Sequence, residues 1–410
     1  MFSMKKGSFF LFGALVALYS LSCRKSPETP LVWPGQVSRA AEISQVMGWE
    51  LFRQEQLAKP GQNVLLSPYS IQAAFSMALN GARGQTQEEL QNFLGCRGCS
   101  PDTINIQHRY LNTLLTSHSG HPTLTVANRY FYDSKRIAVK ASFLQTLEQY
   151  YQGGADALDF SAEQAALKHI NGWVSHSTKG KIDRILDRIT PLDVAFLINA
   201  LHFKADWAKG FAPDLTQKSA FTRPDGSKVQ VDFVNADRDY FFAATQQFNL
   251  IDIPFRDSTY SLSLLQAAVT NTDAQWHLNV TPSKWRTLYD SLRYGRAHVF
   301  FPKLQLTYEN DLIKSMEAMG VKAPFSEREA DFSLMGTSPT DKRIFINQVK
   351  HKVVLNVDEK GAEGAAVTSI GFGIDSMPPT FWFNKPFVLV LRHIPTNTIL
   401  FLGYVADPSA

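Results

Sequence analysis

The chain reads as an α+β protein in which helices lead, long strands interleave with them, and strands dominate the C-terminal third. Three observations carry this reading. Apolar residues recur at helical spacing in several separate stretches. Other runs are long and rich in Val, Ile, Thr and aromatics, some alternating and one continuously apolar. Their order is irregular, so a regularly wound βαβ sheet is excluded. With 44% hydrophobic and 19% charged residues, the 410-residue chain is globular and long enough for a large core.

Taken in order, Ile43, Val46, Met47 and Leu51 form one helical stripe. Ser67-Pro68-Tyr69-Ser70 introduces a second, Ile71, Ala74, Phe75, Ala78 and Leu79. Thr86 and Glu89 read as a capping box ahead of Leu90, Phe93 and Leu94. Thr123 to Tyr132 is a strand. Ala166, Ile170, Trp173 and Val174 mark a helix, and Val194 to Phe203 a strand covered on both faces. Leu312, Met316 and Met319 make a helix closed by Gly320. His351, Val353, Leu355 and Val357 alternate with polar residues. Phe387 to Leu391 and Ile399 to Val405 form a hairpin about Pro395-Thr396-Asn397. No internal linker is evident, so one domain is expected from about residue 37.

The N-terminus reads as a targeting segment. Lys5 and Lys6 precede an apolar run, Phe9 to Leu21. As a helix this run rises about 20 Å, short of a bilayer core of about 30 Å. Residues 1–22 are therefore expected to be a signal peptide. Ser20-Leu21-Ser22-Cys23 is similar to a bacterial lipoprotein processing site, with Cys23 as the lipidated residue and membrane tether; ordinary cleavage after Ser22 is the alternative. Pro27, Pro30 and Pro34 make residues 23–36 a stiff, extended tether. The expected location is thus the cell envelope or the extracellular space. Cys96 and Cys99 allow a surface disulfide or inert thiols, a redox pair, or metal ligation with His118 and His121.

A net charge of +4 from 41 basic and 37 acidic residues gives no electrostatic footprint for nucleic acid. No zinc-protease helix, nucleophile elbow or phosphate loop occurs. Gly371-Phe372-Gly373 lacks the third glycine and the βαβ setting of a dinucleotide site. Neither an enzyme nor a cofactor or metal is expected.

The stretch from Asp358 to Ser376 is unusual. After Lys360 it holds no Pro, Lys or Arg, and it reads as a strand awaiting a place in a sheet. Alternate residues Ala362, Gly364, Ala366, Thr368, Ile370 and Phe372 form a set suited to a core; Glu363, Ala365, Val367, Ser369, Gly371 and Gly373 form one suited to the outside.

Seven segments in order carry a family resemblance. They are Asn63 to Ser70, Ala78 to Thr86, Asn171 to Val174 with Thr178 to Ile182, and Asn199 to Trp207. Phe301-Pro302-Lys303-Leu304, residues 358–366 with Phe383 to Phe387, and Leu402 to Pro408 complete the set. In these the chain resembles the serpin family over roughly 37–408. The resemblance implies a large central mixed β-sheet with two further sheets, eight or nine helices, and an exposed reactive loop at about 361–380. It implies a monomeric suicide inhibitor of serine or cysteine proteases. The protease cuts the loop, is held as a covalent 1:1 acyl-enzyme, and is trapped as the loop inserts into the central sheet. Family spacing past Glu359 puts the reactive bond at Asp375-Ser376, with Phe372, Gly373, Ile374 and Met377 as alternative positions. The hinge would be Glu359, Gly361, Ala362, Glu363, Gly364, Ala365 and Ala366. Ser67, Ser70, Asn199 and His351 match the cluster that governs sheet opening, and Trp207 and Lys303 the point where the loop first inserts, with Lys303 placed to pair with Glu359. The family also holds non-inhibitory carriers and chaperones, so a binding module is the alternative.

Overall fold

The computed structural model describes residues 34–116, 123–340, 342–362 and 378–409, with side chains from Ala40 onward. The N-terminal part is helical: α1 (Pro34–Ala58), α2 (Pro68–Leu79), α3 (Gly84–Phe93) and α4 (Pro101–Thr116), interrupted by the short strand β1 (Val64–Leu66). Then follow β2 (Thr123–Asp133), β3 (Ala138–Val139), α5 (Ala141–Tyr151), β4 (Gly154–Leu158), α6 (Glu163–Ser177) and β5 (Ala195–Asp206). A strand-rich stretch comprises β6 (Gln217–Thr222), β7 (Lys228–Ala244), β8 (Phe248–Pro254) and β9 (Tyr260–Ala267). The rest comprises α7 (Pro282–Asp290), β10 (Arg293–Pro302), β11 (Leu304–Asp311), α8 (Ile313–Ala318), β12 (Gly336–Thr337), β13 (Lys350–Val357), β14 (Gly361–Ala362), β15 (Thr380–Trp382), β16 (Phe387–His393) and β17 (Thr398–Val405). The expected hairpin is β16–β17.

Local chemistry explains several boundaries. Pro68 opens α2, where its fixed φ suits the first turn and its missing N–H is not needed. Three residues of the expected tether, Pro34 to Gln36, are instead the start of α1, for the same reason. The capping box is also corrected. The helix begins three residues earlier, at Gly84 with Arg83 as its N-cap, so Thr86 lies inside it. The Thr86 hydroxyl accepts the Asp331 N–H at 2.9 Å, and Glu89 accepts the N–H groups of Lys322 and Ala323 at 2.6 Å. Both side chains thus cap other segments. Val46 is 47% exposed and is not part of the buried stripe.

Two main sheet systems result, and β3 and β12 form a separate two-stranded sheet. One is a nine-stranded mixed sheet in the order β1-β17-β16-β9-β8-β7-β10-β15, with β6 on β7; its β10–β15 pair is parallel. The other is split. A four-stranded part runs β14-β5-β2-β4, and β11-β13 forms a separate pair. The main core draws on residues from Ala40 to Ala406. A second, smaller cluster sits between α6 and the other face of β5, and includes Phe131, Ile170, Val174, Phe196 and Ile198. β5 is therefore covered on both faces, as its apolar run predicts.

Helix α6 is fixed by the chain that follows it. The Asn171 side chain accepts from the N–H groups of Ile185 and Leu186 and donates to the Leu186 carbonyl. Thr178 donates back to Val174 O and accepts Ile182 N–H, across a turn that holds Gly180 at φ +76°. Asp156 on β4 binds Arg129 through two contacts and His169 of α6 at 2.9 Å.

Candidate functional site

The site lies where β13 hands over to β14 beside the C-terminal end of β5. Trp207 directly follows β5. Its backbone N–H donates to Lys360 O at 2.9 Å, and its indole N–H donates to Asp358 O at 2.9 Å. Its ring lies flat on Phe255, 4.5 Å between centroids. Phe211 N–H donates to Glu359 O at 2.8 Å. These contacts clamp residues 358–360 to the end of β5.

Glu359 itself is largely buried, with Lys303 at 3.1 Å and the Thr216 hydroxyl donating to it at 2.7 Å. Burial pushes its carboxyl up, but Thr216 and Lys303 more than offset this and hold it below the ordinary carboxylate value. Lys303 and Glu359 thus pair across the clamp.

Beyond the clamp the backbone turns over at Gly361. Its φ is +147°, and a Cβ there would lie 2.1 Å from the Ala205 carbonyl oxygen. Only glycine fits. Gly361 then pairs with Asp206, and Ala362 with Ala205, in an antiparallel ladder. Ala362 is 1% exposed and joins the main core, on the side expected for its set. Two residues of a new strand are already in register.

Past that point no ladder joins β5 to β13 among the described residues. A cavity of about 150 Å³ opens between Val194–Asn199 on one side and Ile344–His351 on the other, floored by Ile71, Phe75 and Tyr130. A smaller one, about 20 Å³, lies between Leu201–Phe203 and Val354–Asn356. The two edges therefore stand apart along a seam that continues from β14.

Polar residues line the far end of this seam. His351 Nε2 accepts the backbone N–H of Ser67 at 3.2 Å, and the Ser67 hydroxyl donates to that of Ser70 at 3.0 Å. Burial holds His351 down to about 3, so its ring is neutral. Asn199 is placed differently from the expected cluster. It lines the cavity but donates to Asn128 Oδ1 at 2.8 Å, not to His351, because Asn128 is its direct cross-strand neighbour. Its Oδ1 has no partner among the described residues.

Several site expectations fall outside the described residues: Cys23, Glu363, Gly364, Ala365, Ala366, Phe372, Gly373, Ile374, Asp375, Ser376 and Met377. Cys96 and Cys99 form a disulfide with Cα atoms 5.6 Å apart, away from the seam. Among the described residues no group of three or more His, Cys, Asp or Glu could hold a metal ion. Sequence reasoning missed Thr216, Phe255, Asn128 and the carbonyl of Asp358. Carbonyl contacts leave no residue-type signal, and the other three stand in ordinary strand or loop runs.

A family model described as Serpin (serine protease inhibitor) matches residues 42–408. Iripin-2 of Ixodes ricinus is 28% identical over 92% of this chain and 95% of its own. Human Serpin B8 is 31% identical over 85% and 93%, and human thyroxine-binding globulin 28% over 90% of each. The native thermophilic serpin Tengpin superposes with a TM-score of 0.82 at 26% identity, covering 92% of this chain and 95% of that one. A thyroxine complex of thyroxine-binding globulin gives 0.80 at 27% identity, covering 90% and 99%. Clamp, turned-over glycine, seeded strand and open seam are thus carried by a chain that belongs to the serpin family.

Proposed function

We propose that this protein is a suicide inhibitor of serine or cysteine proteases, exported and tethered through Cys23. It traps its target by inserting residues 363 onward between β5 and β13. The observation that carries this is the two-residue β14–β5 ladder, which already sets the register. Continued one residue for one, that register puts Glu363 opposite Lys204, Gly364 opposite Phe203 and Ala366 opposite Leu201. It then puts Thr368 opposite Asn199, Ile370 opposite Leu197 and Phe372 opposite Ala195. Cross-strand neighbours share a face. Leu197, Leu201 and Phe203 pack on the main core, so the small and apolar set turns inward. The outward set places its one acid beside a lysine. Thr368 brings a hydroxyl to the unpartnered Asn199 Oδ1, and Thr368 to Phe372 run along the cavity.

The chemistry is the protease's own. Its Ser or Cys nucleophile adds to the Asp375 carbonyl and the bond to Ser376 breaks. The new amine leaves with a proton, and Asp375 stays esterified to the enzyme. Strand addition then carries the enzyme the length of β5, about 40 Å at about 3.3 Å per residue. Deacylation fails because the distorted site no longer positions water.

The test is incubation with chymotrypsin, granzyme B, papain and trypsin, followed by denaturing electrophoresis. A heat-stable 1:1 adduct with one of the first three, joined at a residue from 372 to 377 by mass spectrometry, supports the reading. Simple cleavage without adduct, and without thermal gain in the nicked chain, supports a binding or chaperone module instead.

A further inference from the structure

A strand that enters between β5 and β13 must lift what lies across them. The small cluster beneath α6 draws on Phe196 and Ile198 of β5 and is joined by Val354 of β13, so it bridges the seam. Ile185 and Leu186 line the cavity in that seam, and Asn171 ties both to α6. Helix and following segment thus form one cover. Besides its apolar contacts, a chain of three side chains holds this cover to the sheet. His169 Nε2 of α6 lies 2.9 Å from Asp156 Oδ2 on β4. Arg129 on β2 donates to both oxygens of that carboxylate, at 3.1 and 2.7 Å, and so fixes its aim. The Asp156 side chain is only 19% exposed, whereas that of His169 is 51% exposed and open to protons from solvent.

Burial pushes the Asp156 carboxyl up, but the hydrogen bonds from His169 and Arg129 more than offset this and hold it below the ordinary carboxylate value. Asp156 therefore keeps its charge in mild acid. Imidazole is the side chain that changes charge between about pH 5 and 8. Neutral, it offers Asp156 an ordinary hydrogen bond; protonated, it offers a charge-assisted one, roughly twice as strong. The other charged or titratable groups facing α6 are engaged or distant. Asp133 of β2 accepts the Lys135 N–H, Lys352 of β13 pairs with Glu309 at 3.0 Å, and His202 of β5 lies beside Lys181 and Ile182, past the end of the helix. One turn away on α6, Ala165, Ala166, Gly172 and Trp173 carry no charge, and Lys168 is on another face. The charges that act on His169 are thus Asp156, which favours its proton, and Arg129, which offsets part of that. Docking of α6 strengthens as pH falls through the imidazole range. We propose that His169 is a positioning residue for capture: protonated, it pins α6 to Asp156 and delays entry of residues 363 onward; neutral, it lets the cover lift, so the trap closes faster at neutral than at acid pH. The role in capture rests on the inhibitory reading above; the latch itself is measurable without it.

The test compares the full chain with His169→Gln, which cannot take a charge, and His169→Lys, which keeps one. Hydrogen exchange at pH 5.5 and 8, corrected for intrinsic rates, reads the latch. Amides of Glu163–Ser177, relative to those of Pro68–Leu79, should be about threefold better protected at pH 5.5 than at pH 8 in the parent. The ratio should not change with pH in either variant, and should be higher in His169→Lys than in His169→Gln. Protection that ignores pH in the parent, or a pH response that survives in His169→Gln, would overturn the latch. Stoichiometry of inhibition, with whichever panel enzyme forms the adduct, reads capture. The parent's stoichiometry in excess of one, divided by that of His169→Gln at the same pH, cancels the enzyme's own pH response. This quotient should rise about threefold from pH 8 to pH 5.5. A constant quotient beside a pH-dependent latch would overturn the role in capture alone. Absence of any adduct removes the inhibitory reading and that role with it, while exchange still decides whether His169 holds α6.

Discussion

Cutting the loop without engaging a target should release the seam. Insertion of residues 363–372 gives about twenty backbone groups ladder partners, worth about 1 kcal/mol each. Burying Ile370 and Phe372 adds about 2 kcal/mol apiece. Ordering ten residues costs about 1.5 kcal/mol each. The net is about 10 kcal/mol in favour of the inserted form. A folded unit of about 375 residues has an unfolding entropy near 0.8 kcal/mol/K, so the melting temperature should rise by at least about 10 °C. The assay is limited proteolysis by an enzyme that forms no adduct. Mass spectrometry then confirms a single cut between residues 372 and 377, and calorimetry compares nicked and intact chains. Equal melting temperatures would refute the reasoning, because they would mean that the seam accepts no strand.

Four further outcomes follow from named residues. Gly361→Val should lower the melting temperature of the intact chain and convert inhibition toward plain cleavage, raising the stoichiometry well above one, because a Cβ cannot sit against Ala205 O. Trypsin should form no adduct, since no Lys or Arg lies between Lys360 and Lys385; electrophoresis checks this. Because the folded Glu359 carboxyl is held low, its contribution is present above the unfolded value and lost as pH falls through the folded one. Lys303→Met should therefore shift the onset of acid loosening upward, read by hydrogen exchange at residues 358–362, with only a small effect at pH 7 because Lys303 is 39% exposed. His351 titrates near 3 when folded and about 6.5 unfolded. Stability should fall as pH drops through that window, and His351→Gln should flatten the slope by about 1.4 kcal/mol per pH unit in urea titrations.

Periodicity made the architecture legible where burial repeats locally. The stripe from Ile71 to Leu79, the alternation from His351 to Val357 and the continuous run ending at Phe203 each state which faces are covered. Boundaries were less legible. Thr86 and Glu89 have the spacing of a cap, but their hydrogen bonds reach residues 322, 323 and 331, far along the chain. The Lys303–Glu359 contact was readable as opposite charges in two resembling segments. The choice of Asn128 over His351 by Asn199 was not, because it depends on how far β5 and β13 stand apart. Gly361 was named only as part of the hinge; its necessity comes from a backbone approach that no residue type announces.

The patch beneath α6 is walled off from the principal interior, and this separation has a kinetic meaning. A helix seated on its own small set of side chains can swing away as a unit while the rest of the fold stays shut. Amide protons of Glu163–Ser177 should then exchange through an opening cheaper than global unfolding, well before those of Pro68–Leu79. The lifetime of that transient opening, more than the attack on the bait, would set how quickly a captured enzyme is hauled across.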